Sequence, residues 1–203
     1  MRVLSFSPKG TFGANTYLVI SDNEAVVIDP SVPPSAVQQK ADLNSLKLKA
    51  VLLTHAHFDH MLEIDAWCNE FDIEPQLGQA DAPALADEIL NCYGLFFGTK
   101  KGYYGSYKTL SGGDKISFGS TALRVIETPG HTKGAIALYG DESVFVGDTV
   151  FEGGNVGRVD LPGGNYSALK SSIEKILALP EDTTVYCGHG TSTTVKELIS
   201  NFK

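Results

Sequence analysis

The chain predicts an α/β fold in which two β-rich halves pack together with helices outside. Three observations lead there. Short β-branched or alternating segments followed by longer amphipathic ones occur twice along the sequence. The 21 glycines imply many tight turns, and so many short strands. At 203 residues, with 42% apolar and 20% charged residues, the chain is long enough to bury a full core. The simplest organisation is one domain, residues 1–203, built of two halves.

In the first half, Arg2–Phe6, Thr16–Ile20 and Ala25–Ile28 read as strands, divided by Gly13-Ala14-Asn15 and Asp22-Asn23. Pro30 stops the third at Asp29. A helix capped by Ser35 is expected to run to Leu46, with Val37, Ala41 and Leu43 apolar. Ala50–Leu53 is wholly apolar, as a buried strand requires. His60–Phe71 reads as a second helix and Ile73–Leu77 as another strand. Asp81–Asn91 is expected to be a third helix, with Asp81 as its cap and Pro83 in the first turn. Cys92–Tyr107 carries six aromatic residues spaced by glycines, without helical or strand period, and is read as a loop lying over something, a lid or an interface. In the second half, strands are expected near Lys115–Phe118, Ala122–Glu127, Ala135–Tyr139 and Ser143–Val146. A glycine-rich loop (Gly153–Gly164), an amphipathic helix (Tyr166–Leu179), a strand (Thr184–Tyr186) and a closing helix (Thr193–Phe202) follow.

A net charge of −8 disfavours a nucleic-acid partner, because a phosphate backbone selects a basic footprint, and fits a small-molecule substrate. No stretch approaches the ~18 apolar residues of a membrane span. Met1–Gly10 lacks the basic-then-apolar order of a secretory signal. Cys68, Cys92 and Cys187 are an odd number without paired spacing, so no disulfide framework is expected and a reducing cytoplasm is. The sequence is silent on oligomeric state.

The chemistry lies in the histidines. All five sit in runs suited to metal binding: Thr54-His55-Ala56-His57-Phe58-Asp59-His60, Thr128-Pro129-Gly130-His131-Thr132 and Gly188-His189-Gly190. His55 and His57 alternate on an extended segment and so face the same way; Asp59 continues that alternation and His60 opens the next helix. The heptapeptide thus offers a histidine pair to one cation, and Asp59 with His60 to a second. Asp148 follows an apolar strand, at a position where a carboxylate can bridge two ions. Asp59 and Asp148 are the catalytic carboxylates in this reading. Alone, a His-x-His pair is usually incidental, and Asp148 would be a turn residue before Thr149; the ordered set makes metal binding the stronger reading. Two divalent cations fit this donor set, Zn²⁺ best, with Mn²⁺ or Fe accommodated. Cys187, two residues before His189, is assigned to the core.

These residues resemble the metallo-β-lactamase fold superfamily, from Asn15-Thr16-Tyr17 through Val27-Ile28-Asp29-Pro30 and the histidine runs to Gly147-Asp148-Thr149 and Gly188-His189-Gly190. The resemblance implies a four-layer αββα sandwich with metals at one edge of the two sheets. Within the superfamily the chain is most similar to glyoxalase II, in its short form, which lacks a C-terminal helical domain. That likeness implies one metal on His55, His57, His131 and Asp148, and a second on Asp59, His60, His189 and Asp148. It implies hydrolysis of a thioester such as S-lactoylglutathione by water activated between the two ions. A bridging Asp148 argues against antibiotic hydrolysis. Asp29 either orients a ligand histidine or is a plain Asp-Pro turn. Lys100, Lys101, Tyr104 and Arg158 are the candidates for substrate contact. The alternative is a persulfide dioxygenase holding one iron on His55, His131 and Asp148; a lactonase is a third possibility.

Overall fold

A computed structural model describes residues 1–8 and 12–202. The first half contains β1 (Arg2–Phe6), β2 (Thr16–Ser21), β3 (Glu24–Ile28), α1 (Pro34–Gln38), β4 (Lys47–Leu52), α2 (Ile64–Phe71), β5 (Pro75–Gly78), α3 (Tyr93–Phe97) and β6 (Lys108–Leu110). The second contains β7 (Lys115–Phe118), β8 (Thr121–Glu127), β9 (Ile136–Gly140), β10 (Ser143–Gly147), α4 (Tyr166–Leu177), β11 (Thr184–Cys187), β12 (Thr193–Thr194) and α5 (Val195–Asn201). The strands form two six-stranded mixed sheets, ordered β1-β2-β3-β4-β5-β6 and β12-β11-β10-β9-β8-β7. The first sheet is an antiparallel meander over β1-β2-β3 and parallel from β3 through β6; the second is antiparallel except at the β10–β11 pair.

Side-chain alternation along the strands builds three apolar cores. From β3 and β4, Ala25, Val27 and Val51 face outward to Trp67 of α2, while Val26, Ile28, Ala50 and Leu52 face the second sheet. The second sheet answers with Phe118, Leu123, Val125, Leu138 and Phe145. Val144 and Val146, flanking Phe145 in β10, turn the other way onto Leu169, Ile173 and Ile176 of α4 and onto Val195 and Leu198 of α5. The result is helix, sheet, sheet, helix: a layered α/β sandwich. Strands buried on both faces explain why Ala50–Leu53 is apolar at every position.

Several expected helices are shorter, each for a local reason. The segment read as Ser35–Leu46 stops at Gln38, whose side chain accepts from Leu43 N (2.7 Å) while Asp42 accepts from Asn44 N (3.2 Å) to start a single 3₁₀ turn. Pro33, not Ser35, precedes α1. The helix expected from His60 starts only at Ile64; Phe58–His60 is a 3₁₀ turn, so Asp59 does not continue the extended alternation of His55 and His57. Asp81–Asn91 is no α-helix: a 3₁₀ segment, Gln79–Leu85, gives way to turns. The segment from Cys92 to Tyr107 is not all loop, because it contains α3. In the closing segment Thr193–Thr194 pairs as β12, and Thr194 caps α5 in a capping box with Glu197. No helix among the described residues is long and apolar enough to cross a membrane.

Candidate metal centre

The site is built at the C-terminal ends of two parallel pairs, β3–β4 in one sheet and β10–β11 in the other. Asp29 follows β3 and His55 follows β4; Asp148 follows β10 and His189 follows β11. His131 comes from the loop between β8 and β9. Three groups of donor atoms lie within 4.8 Å of one another: His55, His57 and His131; Asp59, His60 and His189; and His55, His60 and Asp148. Asp148 stands between the first two groups, its carboxylate 3.2 Å from His60 Nε2 and 3.6 Å from both His131 Nε2 and His189 Nε2. Asp59 lies 3.2 Å from His189 Nε2. All seven sequence-predicted metal residues therefore converge.

The surrounding bonds aim the rings. Asp29 accepts from Thr54 N and from the Thr54 hydroxyl, both at 2.8 Å, and takes the Nδ1–H of His60 at 2.9 Å, which turns Nε2 of His60 toward the cluster. Asp29 thus orients a histidine, the first of its two readings. His131 Nδ1 donates to the Arg158 carbonyl at 2.7 Å and likewise presents Nε2. Two glycines make room. Gly147 has φ of 52°, and a Cβ there would strike the Thr54 side chain; a Cβ at Gly188 would strike the Asp148 carboxylate and the His60 ring.

Asp81 contributes something the sequence did not reveal. Buried at 4% exposure, its carboxylate accepts from Ala56 N (3.1 Å), the Thr132 hydroxyl (2.7 Å) and Gly134 N (2.6 Å). It pins the His55–His57 loop to the His131 loop across the two sheets. Burial pushes its carboxyl above the usual range, against the pull of those three donors.

Electrostatics prepares the donors. Burial drives His55 far below the ordinary imidazole range and takes His57 to about 3, so both keep a free lone pair at neutral pH. Burial also opposes ionisation of Asp148, but the adjoining imidazoles, His60 foremost, hold its carboxyl below the usual range. Burial opposes the charge on His60 as well, yet Asp29, Asp148 and Asp59 raise it. The Nε2 atoms of His55, His57, His60 and His131, and Asp148 Oδ1, are buried without a hydrogen-bond partner. Each such orphan costs ~1–3 kcal/mol. Divalent cations would satisfy all five together, so the residues present fit metal ions.

A pocket of about 260 Å³ opens over the cluster, lined by His57, Asp59, His131, Asp148 and His189 together with aromatic rings. Of the four candidates for substrate contact, Arg158 lines it. Lys100 pairs at the surface with Glu88 at 3.6 Å, Lys101 sits 5.8 Å from the Tyr93 ring centre, and Tyr104 is 72% exposed. A separate hollow of about 480 Å³, which includes Glu127 and Lys133, holds none of the seven metal-type residues. Cys68, Cys92 and Cys187 are free and buried, Cys187 at the end of β11 facing the core beneath α4 and α5.

A layered α/β sandwich with a His/Asp cluster at the strand ends defines a class of metal-dependent enzymes. Residues 10–189 match the Metallo-beta-lactamase superfamily, and the chain belongs to it. It is 38% identical over 191 residues to the "Probable metallo-hydrolase YqgX" of Bacillus subtilis, covering 93% of this chain and 90% of that protein. The hydroxyacylglutathione hydrolase of Aeromonas hydrophila is 34% identical over 173 residues, covering 85% of this chain but 59% of that enzyme. Among solved structures, the BLEG-1 B3 metallo-beta-lactamase superposes with a TM-score of 0.89 at 33% identity, over 98% of this chain and 97% of that one. TTHA1623 in a di-iron-bound form gives 0.81 at 31% identity with the same coverage. ETHE1 from Myxococcus xanthus gives 0.74 at 27% identity, over 97% and 81%.

Proposed function

We propose that the chain is a dinuclear metal-dependent hydrolase of thioesters. The observation that carries this reading is the doubled donor set: His55, His57 and His131 on one side, Asp59, His60 and His189 on the other, with Asp148 between them. These residues would hold two divalent ions, Zn²⁺ best by donor chemistry, with Fe equally consistent with the di-iron-bound relative. Bound there, such ions polarise a carbonyl and lower the pKa of water toward ~7. The chain's own groups do the rest. Asp29 and the Arg158 carbonyl fix the His60 and His131 rings, and the rings beside the pocket shield the reacting carbonyl from bulk water. Hydrolysis adds water across the C–S bond, leaving a carboxylate and a thiol. A thiol of pKa ~8.5 departs as thiolate without a strong general acid, so none is required; Asp59 and Asp148, held ionised against their burial by the neighbouring imidazoles, serve as carboxylate donors to the site. The reading includes a reducing compartment, in keeping with three unpaired cysteines.

The test is steady-state hydrolysis of a thioester panel that includes S-lactoylglutathione, together with a β-lactam because of the BLEG-1 relative. Turnover by metal-loaded protein is expected to fall at least 100-fold in His55→Ala; turnover that survives would sink the metal mechanism. The ETHE1 likeness supports a second reading, one iron on His55, His131 and Asp148 with oxygen consumption. Two metals per chain without oxygen uptake decides for the hydrolase.

A further inference from the structure

The aromatic rings that line the pocket beside the cluster come from four separate places in the chain. Phe12 lies before β2, Phe58 in the metal loop, Phe96 in α3, and Phe151 after β10; all four line the 260 Å³ pocket. Phe12 and Phe96 are 51% and 47% exposed. They rest on one another (6.5 Å between ring centres), and Phe96 leans on the buried Phe58 at 5.7 Å. Phe97 backs the group at 5.4 Å from Phe12 and 5.5 Å from Phe58. Phe151 stands 6.2 Å from the His189 ring.

None of the five residues of α3 is buried, although the helix carries Tyr93, Leu95, Phe96 and Phe97. Both its ends are turned by left-handed backbone, at Cys92 (φ 69°) and Gly98 (φ 66°). At Cys92, a residue with a Cβ, that conformation costs energy and is held by its surroundings. A short helix with exposed rings, held in a strained frame beside a reactive cluster, presents apolar surface to something that enters the pocket.

Charge points the same way. Arg158 is the cation of the pocket wall among the described residues, and both Nε and Nη2 of its guanidinium already bond Asp160 at 2.7 Å. A carboxylate-bearing thiol such as glutathione therefore meets aromatic faces and an occupied guanidinium.

We propose that the pocket selects acyl thioesters carrying an uncharged apolar or aromatic group, which docks on Phe12, Phe58, Phe96 and Phe151 while the carbonyl meets the cluster. This rests on the thioester reading, and the experiment separates the two. The metal-loaded protein is assayed with the phenylacetyl and acetyl thioesters of N-acetylcysteamine, with S-phenyl thioacetate, which puts the ring on the thiol side, and with S-lactoylglutathione. Calorimetry with the uncleavable S-benzyl-N-acetylcysteamine gives a readout independent of turnover.

The expected result is a kcat/KM at least tenfold higher for the phenylacetyl than for the acetyl thioester of N-acetylcysteamine, which share one leaving thiol, and a rate on S-phenyl thioacetate that falls when the rings are removed. That ratio is expected to collapse toward one in the Phe12→Ala/Phe96→Ala double variant and to return in Phe12→Leu/Phe96→Leu. Binding of the thioether weakens about tenfold in the alanine variant. Because both rings are half exposed, the substitutions leave the three cores untouched. A preference for S-lactoylglutathione, or an aromatic preference that outlasts the alanine variant, overturns the proposal. If no thioester is cleaved, the hydrolase reading falls; loss of thioether binding in the alanine variant then still upholds the aromatic wall, and unchanged binding removes it too.

Discussion

Asp81 and Asp29 show what a single residue contributes beyond the ligands. By sequence Asp29 sits in an Asp-Pro step and Asp81 at a helix cap, and both are almost completely buried. Asp29 was legible because an Asp-Pro step directly after a buried strand already admits an orienting role. Asp81 was not. Its Pro83 neighbour and its position before an apolar run favour a helix cap, whereas its three donors come from residues 25, 51 and 53 positions away. Removing that carboxylate in Asp81→Ala leaves two backbone N–H groups and a hydroxyl unmet. The expected cost is about 3 kcal/mol, read as a lower urea midpoint at unchanged slope, with weaker metal retention in the same variant. Cys68 supplies a pH effect. Burial pushes its thiol up to about 11. A raised folded pKa means that the unfolded chain ionises first, so the contribution is intact below the unfolded value of ~8.5 and fades as pH climbs toward 11. Stability is expected to drop by about 2–3 kcal/mol more between pH 8 and pH 11 in the parent than in Cys68→Ala; equal losses in urea titrations would refute it.

At the scale of elements, strands were read well and helices less so. Strand periodicity survives because each strand is sandwiched between two apolar layers, as in β10, where Val144, Phe145 and Val146 alternate between cores. The three residues of β6 are too few to show a period. The first helix fails because Gln38 and Asp42 spend their side chains on nearby backbone N–H groups and break the run. The aromatic segment offered no period because its rings pack on Phe12 and Phe58, far away in sequence, which no local pattern encodes. The cap of α5 is the cleanest local test. Thr194 accepts from Glu197 N, and Glu197 accepts from Thr194 N. Thr194→Ala is expected to cost about 1 kcal/mol, with full metal content, by thermal or urea unfolding.

For the whole molecule, the histidines were the easiest part to read because this residue type appears nowhere else in the chain. What the sequence alone left open was how both sheets reach a common point, which rests on the β3–β4 and β10–β11 pairs and on Asp81. If metal ions bind the folded chain and not the unfolded one, they stabilise it by mass action, ~2.7 kcal/mol at a hundredfold excess over Kd. For a chain of this length that corresponds to a fall in Tm of roughly 5–10 °C on chelation, reversed by adding Zn²⁺ or Mn²⁺. Calorimetric scans with and without chelator measure it, and a chelator-insensitive Tm would contradict the assignment.

The pairing of β3 with β4 and of β10 with β11 has a consequence for the order of assembly. Four of the seven donors hang from the first sheet and three from the second, so an ion meets its full set only once the two plates have met. Cation capture is completed late in folding, like a rivet driven home once its holes are aligned, and a chain caught halfway grips an ion only through the single loop of residues 55–60.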